Sequence, residues 1–312
     1  MKKINIAVIG VGNLGQHHAR IYSEFEDVNL VGIVDINKNQ LDKVSNQLKV
    51  KGYTDYHDIL DKVDGISVVT TTDSHYQISK DIISRNINCL VEKPITMNLK
   101  EAEELIVLAQ QKKVILQVGH IERFNPAVIE LQKYIKNPKF IEANRLGIYD
   151  PRVSYIGVVL DLMIHDLDIV LYLVDSKVQN IESHGTKVFS AHEDIVKTRL
   201  WFENGCVADL TASRISTGRY RKLRIFQPDS YISLDYMNQR IKIYRKKKPV
   251  VTNMDDIEII RPKITKTEPL KLELRHFINC IKEYRKPIVS GEHGRDALAL
   301  ALEILNKLKR YE

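Results

Sequence analysis

The sequence predicts an α/β fold in two parts, an N-terminal doubly wound parallel sheet and a C-terminal α+β domain with a large, mostly antiparallel sheet. Apolar strand-like runs alternate with polar helix-like stretches up to about Gly119, which is typical of βαβ units. A glycine-rich turn follows the first of these runs. Beyond Gly119, strand-like runs follow one another with few helices between them, as in an antiparallel sheet covered by helices on one face. We therefore expect one domain over residues 1–119 and a second over residues 120–312.

The glycine-rich turn lies within a strand–turn–helix–strand segment. An apolar run at 4–9 precedes the turn, a helix-like stretch follows to about residue 25, and a second apolar run at 28–34 ends in an aspartate. The first glycine allows the tight turn, the second lets the backbone approach a pyrophosphate, and the third allows close helix packing. The helix N-terminus then offers N–H groups to the phosphates. The flanking strands disfavour an ordinary surface turn and predict a Rossmann dinucleotide site, with contacts from Gly10, Gly12, Asn13, Leu14 and Gly15.

The aspartate that ends the second run, Asp35, indicates which dinucleotide is bound. It lies twenty residues after Gly15, where a carboxylate accepts hydrogen bonds from the adenosine ribose diol. A 2′-phosphate at this place would meet a like charge, and Ile36 and Asn37 offer no arginine to bind it. The sequence therefore predicts NAD, although Lys38 leaves NADP open.

The remaining segments of the N-terminal half continue the alternation of strands and helices. Strands are predicted at 65–69, 88–91 and 114–118, and helices at 37–49, 57–62, 74–85 and 98–110. The last of these helices has three glutamates, Glu101, Glu103 and Glu104, in its first turn, where the helix dipole favours negative charge.

The C-terminal half begins with a helix and is then dominated by strands. The helix is predicted at 125–135, because Asn125 can cap it and Pro126 suits its first turn. A long apolar helix is predicted at 158–174, two closing helices at 271–284 and 293–311, and a polar, irregular stretch at 249–270. Strands are predicted at 140–148, 178–188, 195–202, 207–215, 222–226, 231–234 and 240–244.

Charge and cysteine content limit the classes of partner. A net charge of +7 and a pI near 9.0 would suit an anionic ligand, but the basic residues are spread along the chain and no nucleic-acid-binding module is recognisable. A small acidic or phosphorylated substrate is compatible with this charge. Three widely spaced cysteines (Cys89, Cys206 and Cys280) argue against a disulfide framework. Without a signal segment or a membrane-length apolar run, the sequence predicts a reduced cytoplasmic location, and no ligand spacing predicts a metal site.

A lysine at the end of a predicted strand is the first candidate catalytic residue. In a nicotinamide enzyme the cofactor takes the hydride, and the protein must remove a proton from the substrate hydroxyl. Lys93 follows Glu92, and Pro94 favours an extended conformation that directs the lysine outward from the sheet edge. Its amino group could bind the reacting hydroxyl and stabilise the alkoxide. An ordinary strand-end lysine is the alternative interpretation.

A histidine and an aspartate on the long apolar helix are the next candidates. Asp161 and His165 are four positions apart, so an α-helix places them on one face. An imidazole titrates near neutral pH and is suited to accept a hydroxyl proton, and Asp161 could orient it. A structural His–Asp pair is the alternative. We expect the neighbouring Asp166 and Asp168 to be capping or surface carboxylates.

Polar residues also concentrate just past the last predicted parallel strand. The run His-Ile-Glu-Arg-Phe-Asn begins at His120 and ends at Asn125. Arg123 in this run could clamp a phosphate or a carboxylate. A structural hinge is the alternative interpretation.

Together these features resemble the Gfo/Idh/MocA oxidoreductases over essentially the whole chain. The glycine turn with its aspartate is similar to the NAD site of that family, the run at 92–94 to its Glu-Lys-Pro signature, and the pair at 161 and 165 to its Asp-x-x-x-His pair. The run Thr-Thr-Thr-Asp-Ser-His at 70–75 resembles its Thr-Pro-x-x-x-His loop beside the nicotinamide ribose, with Thr71 in place of the proline. The resemblance implies further cofactor contacts from Thr70, Thr71, His75, Glu92 and Lys93.

The resemblance also implies a reaction, the oxidation of a secondary hydroxyl of a sugar or cyclitol. His165 would be the general base with support from Asp161, Lys93 would bind the hydroxyl and stabilise the alkoxide, and NAD would accept the hydride. Substrate contacts are then implied for Lys93, His120, Arg123, Asn125, Arg145, Arg152, Asp161 and His165.

Within the family, residues 118–127 and 157–168 are similar to a branch that oxidises C3 of UDP-N-acetylglucosamine on the way to a diamino sugar of lipid A. Arg123, Arg145 and Arg152 could then meet the UDP diphosphate. An inositol or free-sugar dehydrogenase is the main alternative, and a non-catalytic NAD-binding sensor is another. Family dimers and tetramers pack through the C-terminal sheet, so the resemblance implies a homo-oligomer, with no membrane or nucleic-acid partner.

Overall fold

The computed structural model describes residues 3–151 and 156–308. The chain divides into two compact units. The first contains the residues up to Ile121 together with Leu270–Asp296, and the second contains Glu122–Pro269 together with the residues from Ala297 onward. The structure thus adds a segment from late in the chain to the predicted N-terminal domain.

The first unit contains a six-stranded, wholly parallel sheet with the strand order β3-β2-β1-β4-β5-β6. This order confirms the predicted doubly wound sheet, and its direction reverses between β1 and β4, where such folds bind nucleotides. The strands are β1 (Ile4–Ile9), β2 (Val28–Val34), β3 (Gly52–Tyr53), β4 (Gly65–Val68), β5 (Asn88–Glu92) and β6 (Leu116–Gly119). The helices are α1 (Gly15–Ser23), α2 (Lys38–Leu48), α3 (Thr72–Ser84) and α4 (Leu99–Lys112), with a 3₁₀ helix at Tyr56–Lys62.

The second unit contains an eight-stranded sheet with the order β14-β13-β12-β11-β7-β10-β9-β8. Every neighbouring pair is antiparallel except β7 and β10, which are parallel, so the predicted mostly antiparallel sheet is confirmed. The strands are β7 (Phe140–Leu146), β8 (Val178–Thr186), β9 (Ile195–Phe202), β10 (Val207–Ser213), β11 (Tyr220–Phe226), β12 (Ser230–Asp235), β13 (Arg240–Lys246) and β14 (Ile257–Ile260).

Helices complete both units. Helix α5 (Pro126–Leu131) continues as a 3₁₀ turn at Gln132–Tyr134, and the predicted long apolar helix is a π-helical segment at Val159–Met163 followed by α6 (Ile164–Val174). Helix α7 (Pro269–Glu283) is followed by α8 (Gly291–Leu308). Among the described residues, no helix is both long and apolar enough to cross a membrane.

Strand β14 lies in the stretch that the sequence analysis predicted to be irregular, and that prediction is wrong. It pairs at the edge of the sheet, where Ile243 of β13 lies opposite Ile260. The segment Ile-Glu-Ile-Ile is short and lacks strict alternation, so periodicity alone does not reveal it.

Helix α7 packs on the hydrophobic core of the first unit. Leu274, Phe277 and Ile278 on one of its faces are fully buried in that core. Asp27, just before β2, accepts from Arg275 at 2.7 Å and from the Lys282 amino group at 2.5 Å. Apolar burial and these ion pairs therefore explain why residues so late in the chain belong to the N-terminal unit.

Alternate residues of the large sheet face its core, and this alternation positions polar groups as well as apolar ones. Ile141 and Ala143 of β7 are buried in the core, and Arg145 follows on the same face of the strand. Leu223 of β11 is also in the core, and Arg221 precedes it on that face. Because β7 and β11 pair with Arg145 opposite Arg221, two arginines lie side by side on the core face.

Candidate active site

The glycine turn between β1 and α1 leaves no room for side chains at two of its glycines. Gly10 has a φ of +84°, and a Cβ there would lie 2.4 Å from the carbonyl oxygen of Val69. A Cβ on Gly15 would lie 1.9 Å from the Gly10 carbonyl oxygen. A Cβ on Gly12, in contrast, would have no neighbour within 4 Å, so the backbone is open to a ligand there. These features fit a pyrophosphate held at the N-terminus of α1.

Asp35 at the end of β2 is half-buried beside this turn. Its Oδ2 accepts a hydrogen bond from the Val11 backbone N–H at 2.8 Å, and its Oδ1 accepts one from the Asn37 N–H at 2.8 Å. A carboxylate has about four lone-pair sites, so both oxygens can also accept from ribose hydroxyls. The residues present therefore fit the adenosine end of NAD, with Gly10, Gly12 and Gly15 forming the turn.

Replacement of Asp35 by asparagine is expected to shift cofactor preference toward NADP. The ratio of kcat/KM for NAD to that for NADP should fall by about tenfold or more, because a charge-assisted hydrogen bond to the ribose and the repulsion of a 2′-phosphate are both lost. The ratio is measured from initial rates of the wild type and the variant with each cofactor. Asp58→Asn, at an exposed position of the 3₁₀ helix, is the matched control. An unchanged ratio in Asp35→Asn would contradict the assignment.

His75 joins the loops that follow β4 and β5. Its ring is buried, with Nδ1 2.9 Å from the Pro94 carbonyl oxygen and Nε2 3.2 Å from the Thr70 carbonyl oxygen. Burial lowers the pKa of His75, although the two carbonyl groups oppose this. Its described contacts are thus with backbone on both loops, whereas Thr71 before α3 is exposed. His75 therefore connects the loop that carries Thr70 and Thr71 to the loop that carries Pro94.

Glu92 is buried under the loop that carries Lys93. Its Oε1 lies 3.3 Å from Nε2 of His18 on α1, and its Oε2 accepts from the Lys93 backbone N–H at 3.2 Å. A Cβ on Gly119 would lie 2.6 Å from the Glu92 carboxyl carbon, so only glycine leaves space for it. Through these contacts Glu92 holds the backbone of the half-exposed Lys93. His120 lies buried directly after β6.

In the second unit, Asp161 and His165 lie on either side of a change in helix geometry. Asp161 belongs to the π-helical segment and His165 to the first turn of α6, and both are half-buried. The Ile164 N–H donates to the Val159 carbonyl oxygen five residues earlier, as in a π-helix. Such π turns are frequent at functional sites. The sequence predicts an ordinary helix here, and the π-helical geometry of residues 159–163 is a difference from that prediction.

The start of the π-helical segment is fixed by a carboxylate. Oε1 of Glu193 accepts a hydrogen bond from the Val159 backbone N–H at 3.2 Å. A Cβ on Gly157 would lie 1.9 Å from the same Oε1, so the glycine makes room for this capping contact. The Asp161 N–H donates to the Gly157 carbonyl oxygen at 3.0 Å. Glu193 thereby positions the turn that carries Asp161.

Two arginines that the resemblance assigns to the substrate are buried in ion pairs. Arg123 donates to both carboxylate oxygens of Asp168, at 2.7 and 2.8 Å. Arg145 donates to both oxygens of Asp166, at 2.7 and 2.8 Å, and to Oε1 of Glu122 at 2.9 Å. The expectation that Asp166 and Asp168 are capping or surface carboxylates is wrong, because both are buried and paired with arginine.

The electrostatics of this ion-pair network do not favour a diphosphate at Arg123 or Arg145. Burial alone would lower the pKa of Arg145, but the carboxylates of Asp166 and Glu122 raise it well above its usual range. The guanidinium is thus already neutralised by protein carboxylates. Asn125 caps α5 and its amide donates to Glu122, so it also belongs to the network. Arg152 lies outside the described residues.

Arg214 and Asp194 form a buried pair that the sequence analysis did not identify. The Arg214 Nε donates to Asp194 at 2.6 Å, and its terminal nitrogens donate to the Ile156 carbonyl oxygen at 2.6 Å and to the Ser190 hydroxyl at 3.0 Å. Although burial opposes it, backbone N–H donors beginning with Phe189 hold the pKa of Asp194 well below its usual range. Nothing in the sequence reveals this pair, because its members come from different strands and loops.

Within the described part of the chain, no group of three or more His, Cys, Asp or Glu side chains could hold a metal ion. The side chains described above can bind a dinucleotide in the first unit, and can transfer protons and form hydrogen bonds in both. The three cysteines are buried as free thiols.

Comparison with known proteins shows which family the chain matches. The family profile described as "Oxidoreductase family, NAD-binding Rossmann fold" matches residues 4–120, and the GFO/IDH/MocA C-terminal domain matches residues 138–244. The UDP-N-acetylglucosamine 3-dehydrogenase of Acidithiobacillus ferrooxidans is 33% identical to the chain over 305 residues, 97% of each protein.

Similarity extends to solved structures and to a second class of enzyme. A structure of the Acidithiobacillus ferrooxidans enzyme matches with a TM-score of 0.94 at 32% identity, covering 100% of this chain and 99% of that one. The scyllo-inositol 2-dehydrogenase (NAD(+)) of Bacillus subtilis is 25% identical over 328 residues, 98% of this chain and 94% of that protein. The chain therefore belongs to the Gfo/Idh/MocA family of oxidoreductases and is an NAD-dependent enzyme.

Proposed function

We propose that the protein oxidises the C3 hydroxyl of UDP-N-acetylglucosamine to a ketone. The observation that carries this proposal is the similarity to an enzyme named for that reaction, which extends over 97% of both chains. A half-buried histidine and aspartate at a π turn, and a half-exposed lysine after β5, support the chemistry. These groups are of the types needed to move a proton from a secondary hydroxyl.

His165 acts as the general base in this proposal and takes the proton of the reacting hydroxyl. Asp161 orients the imidazole and stabilises the imidazolium that forms. Lys93 donates a hydrogen bond to the hydroxyl oxygen and stabilises the negative charge that develops on it. When bound, NAD supplies the acceptor for the hydride. Glu92 and His75 keep the Lys93 loop in place through the contacts described above.

The test is NADH formation by the purified protein with a panel of substrates. UDP-N-acetylglucosamine, UDP-glucose, myo-inositol, scyllo-inositol and glucose are each offered with NAD, and an aminotransferase with glutamate removes the ketone. We expect reduction with UDP-N-acetylglucosamine and none with the free polyols. Activity is expected to persist with a 4-deoxy analogue of the sugar and to vanish with a 3-deoxy analogue.

The opposite outcomes identify the alternatives. Reduction with an inositol and not with the nucleotide sugar would retain the family and overturn the substrate. NAD binding without turnover on any member of the panel would overturn the proposed substrate.

A further inference from the structure

Arg221 is an arginine on the core face of the large sheet for which the proposed reaction gives no role. It lies on β11 directly opposite Arg145 of β7, and its strand neighbours on that face, Leu223 and Ile225, are fully buried. Its own side chain is half-buried. Arg221 is therefore held beside the ion-pair network of Arg145 and is not a freely solvated surface arginine.

The carboxylates whose charges act on Arg221, Asp166 and Glu122, accept hydrogen bonds from other donors. Both oxygens of Asp166 accept from Arg145, at 2.7 and 2.8 Å. Glu122 accepts from Arg145 through Oε1, at 2.9 Å, and from the Asn125 amide through Oε2, at 3.2 Å. Within the described ranges, the Arg221 guanidinium takes part in no hydrogen bond or ion pair. The five N–H donors of its guanidinium thus have no acceptor among the described residues.

A second group in this corner of the sheet also lacks a partner. The Tyr236 backbone N–H donates to the Arg221 carbonyl oxygen at 3.2 Å, and the Tyr236 ring lies 5.2 Å from the Arg145 guanidinium. The Tyr236 hydroxyl is buried and has no hydrogen-bond partner among the described residues. A buried hydroxyl without a partner is costly. The half-buried Arg221 beside it also has donors without a partner among the described residues, and the two together point to an acceptor that this part of the sheet lacks.

The charge of Arg221 points to an acceptor that is an anion. Burial, followed by the positive charge of Arg145, lowers the pKa of the Arg221 guanidinium, which nevertheless stays protonated at any physiological pH. Arg145 and Arg221 repel each other, and a bound anion would offset this repulsion as well as accept hydrogen bonds from Arg221. Arg224, on the other face of the same strand, differs because it pairs with Glu142 at 3.1 Å.

We propose that Arg221 binds a phosphate group of the substrate diphosphate. Its planar fork can donate two parallel hydrogen bonds to phosphate oxygens, as an arginine does in bidentate recognition. Its neighbour Arg145 holds Asp166, which directly follows the proposed base His165, so Arg221 lies in the same part of the second unit as the start of α6. The inference rests on the proposed nucleotide-sugar substrate and transfers the diphosphate-binding role from Arg123 and Arg145 to Arg221.

The test is the binding of UDP to the full-length protein with NADH present, measured by titration calorimetry. UDP has the diphosphate but no sugar, so its binding does not depend on turnover. We expect Arg221→Gln to raise the Kd for UDP by about 10–100-fold, the effect of losing charge-assisted hydrogen bonds. Arg224→Gln removes the same charge from the same strand and should leave the Kd unchanged. Equal affinities of the wild type and Arg221→Gln would overturn the inference, as would equal losses in both variants.

A second variant addresses the case in which Arg221→Gln does not fold. Arg221→Lys keeps the charge and removes the bidentate fork, and we expect it to weaken UDP binding several-fold. An unchanged Kd in Arg221→Lys would count against phosphate recognition by the guanidinium. A wild-type protein that binds no UDP would overturn the inference.

Measurements on the wild type and Arg221→Gln also distinguish a failure of this inference from a failure of the proposed reaction. If the wild type binds UDP through Arg221 but does not oxidise UDP-N-acetylglucosamine, the phosphate site stands and the reaction is wrong. If the wild type oxidises UDP-N-acetylglucosamine and Arg221→Gln has the same KM and Kd, the reaction stands and the phosphate site is wrong.

Discussion

Replacement of His165 by glutamine is expected to lower kcat by about 10²–10⁴-fold, the usual contribution of a general base. Glutamine keeps the approximate volume and polarity of the side chain but cannot accept the hydroxyl proton. NAD binding should not change, because the glycine turn and Asp35 belong to the other compact unit. The measurement is NADH formation at saturating sugar substrate, with the affinity for NAD determined separately by calorimetry.

A pH profile distinguishes a catalytic base from a structural histidine. In the wild type, kcat should fall at acidic pH as the base is protonated, and this acidic limb should be absent from the residual activity of His165→Gln. His184→Gln is the matched control, because His184 is an exposed histidine on β8 of the same unit. Turnover of His165→Gln within a few-fold of the wild type would rule out the assigned role.

Local patterns predicted the cofactor half of the molecule well. The tight turn at Gly10, the acid at Asp35 and the alternation of strands and helices are each determined within a few residues of sequence. The strand order is that of the predicted doubly wound sheet, and the left-handed φ of Gly10 is the conformation that a glycine there was expected to supply.

Contacts between distant residues account for the ion pairs that the sequence did not predict. From the sequence alone, Asp166 and Asp168 are expected at the surface. Their burial is explained by their partners: Arg145 lies 21 positions from Asp166, and Arg123 lies 45 positions from Asp168. The same holds for Arg214 with Asp194, 20 positions apart. A buried charge is recognisable only through its partner, and single-sequence periodicity does not pair charges across a sheet.

The ion-pair network also makes Arg145 a site where a substitution should strongly affect stability. Arg145→Met removes the charge but keeps a long side chain, and leaves Asp166 and Glu122 buried without their main partner. Breaking a buried pair in this way costs about 3–5 kcal/mol. We therefore expect a decrease of this size in the free energy of unfolding, measured by urea titration with circular dichroism.

Arg224→Met is the matched control for this prediction. Arg224 pairs with Glu142 at 3.1 Å, but its side chain is 41% exposed, and ion pairs in such positions contribute about 0–1 kcal/mol. A loss of less than about 1 kcal/mol in Arg145→Met would mean that water reaches the orphaned carboxylates, and the network would then not be the fixed support of α6.

A third variant distinguishes two contributions to the lost stability: the cost of leaving Asp166 buried without a partner, and the loss of the ion pair itself. Adding Asp166→Leu to Arg145→Met removes one unpaired charge and should recover part of the lost stability. If Arg145 instead bound the substrate diphosphate, Arg145→Met would mainly raise the KM and would lower stability little. A large loss of stability together with partial recovery in the double variant therefore assigns Arg145 to holding α6, and leaves the substrate phosphate to another cation such as Arg221.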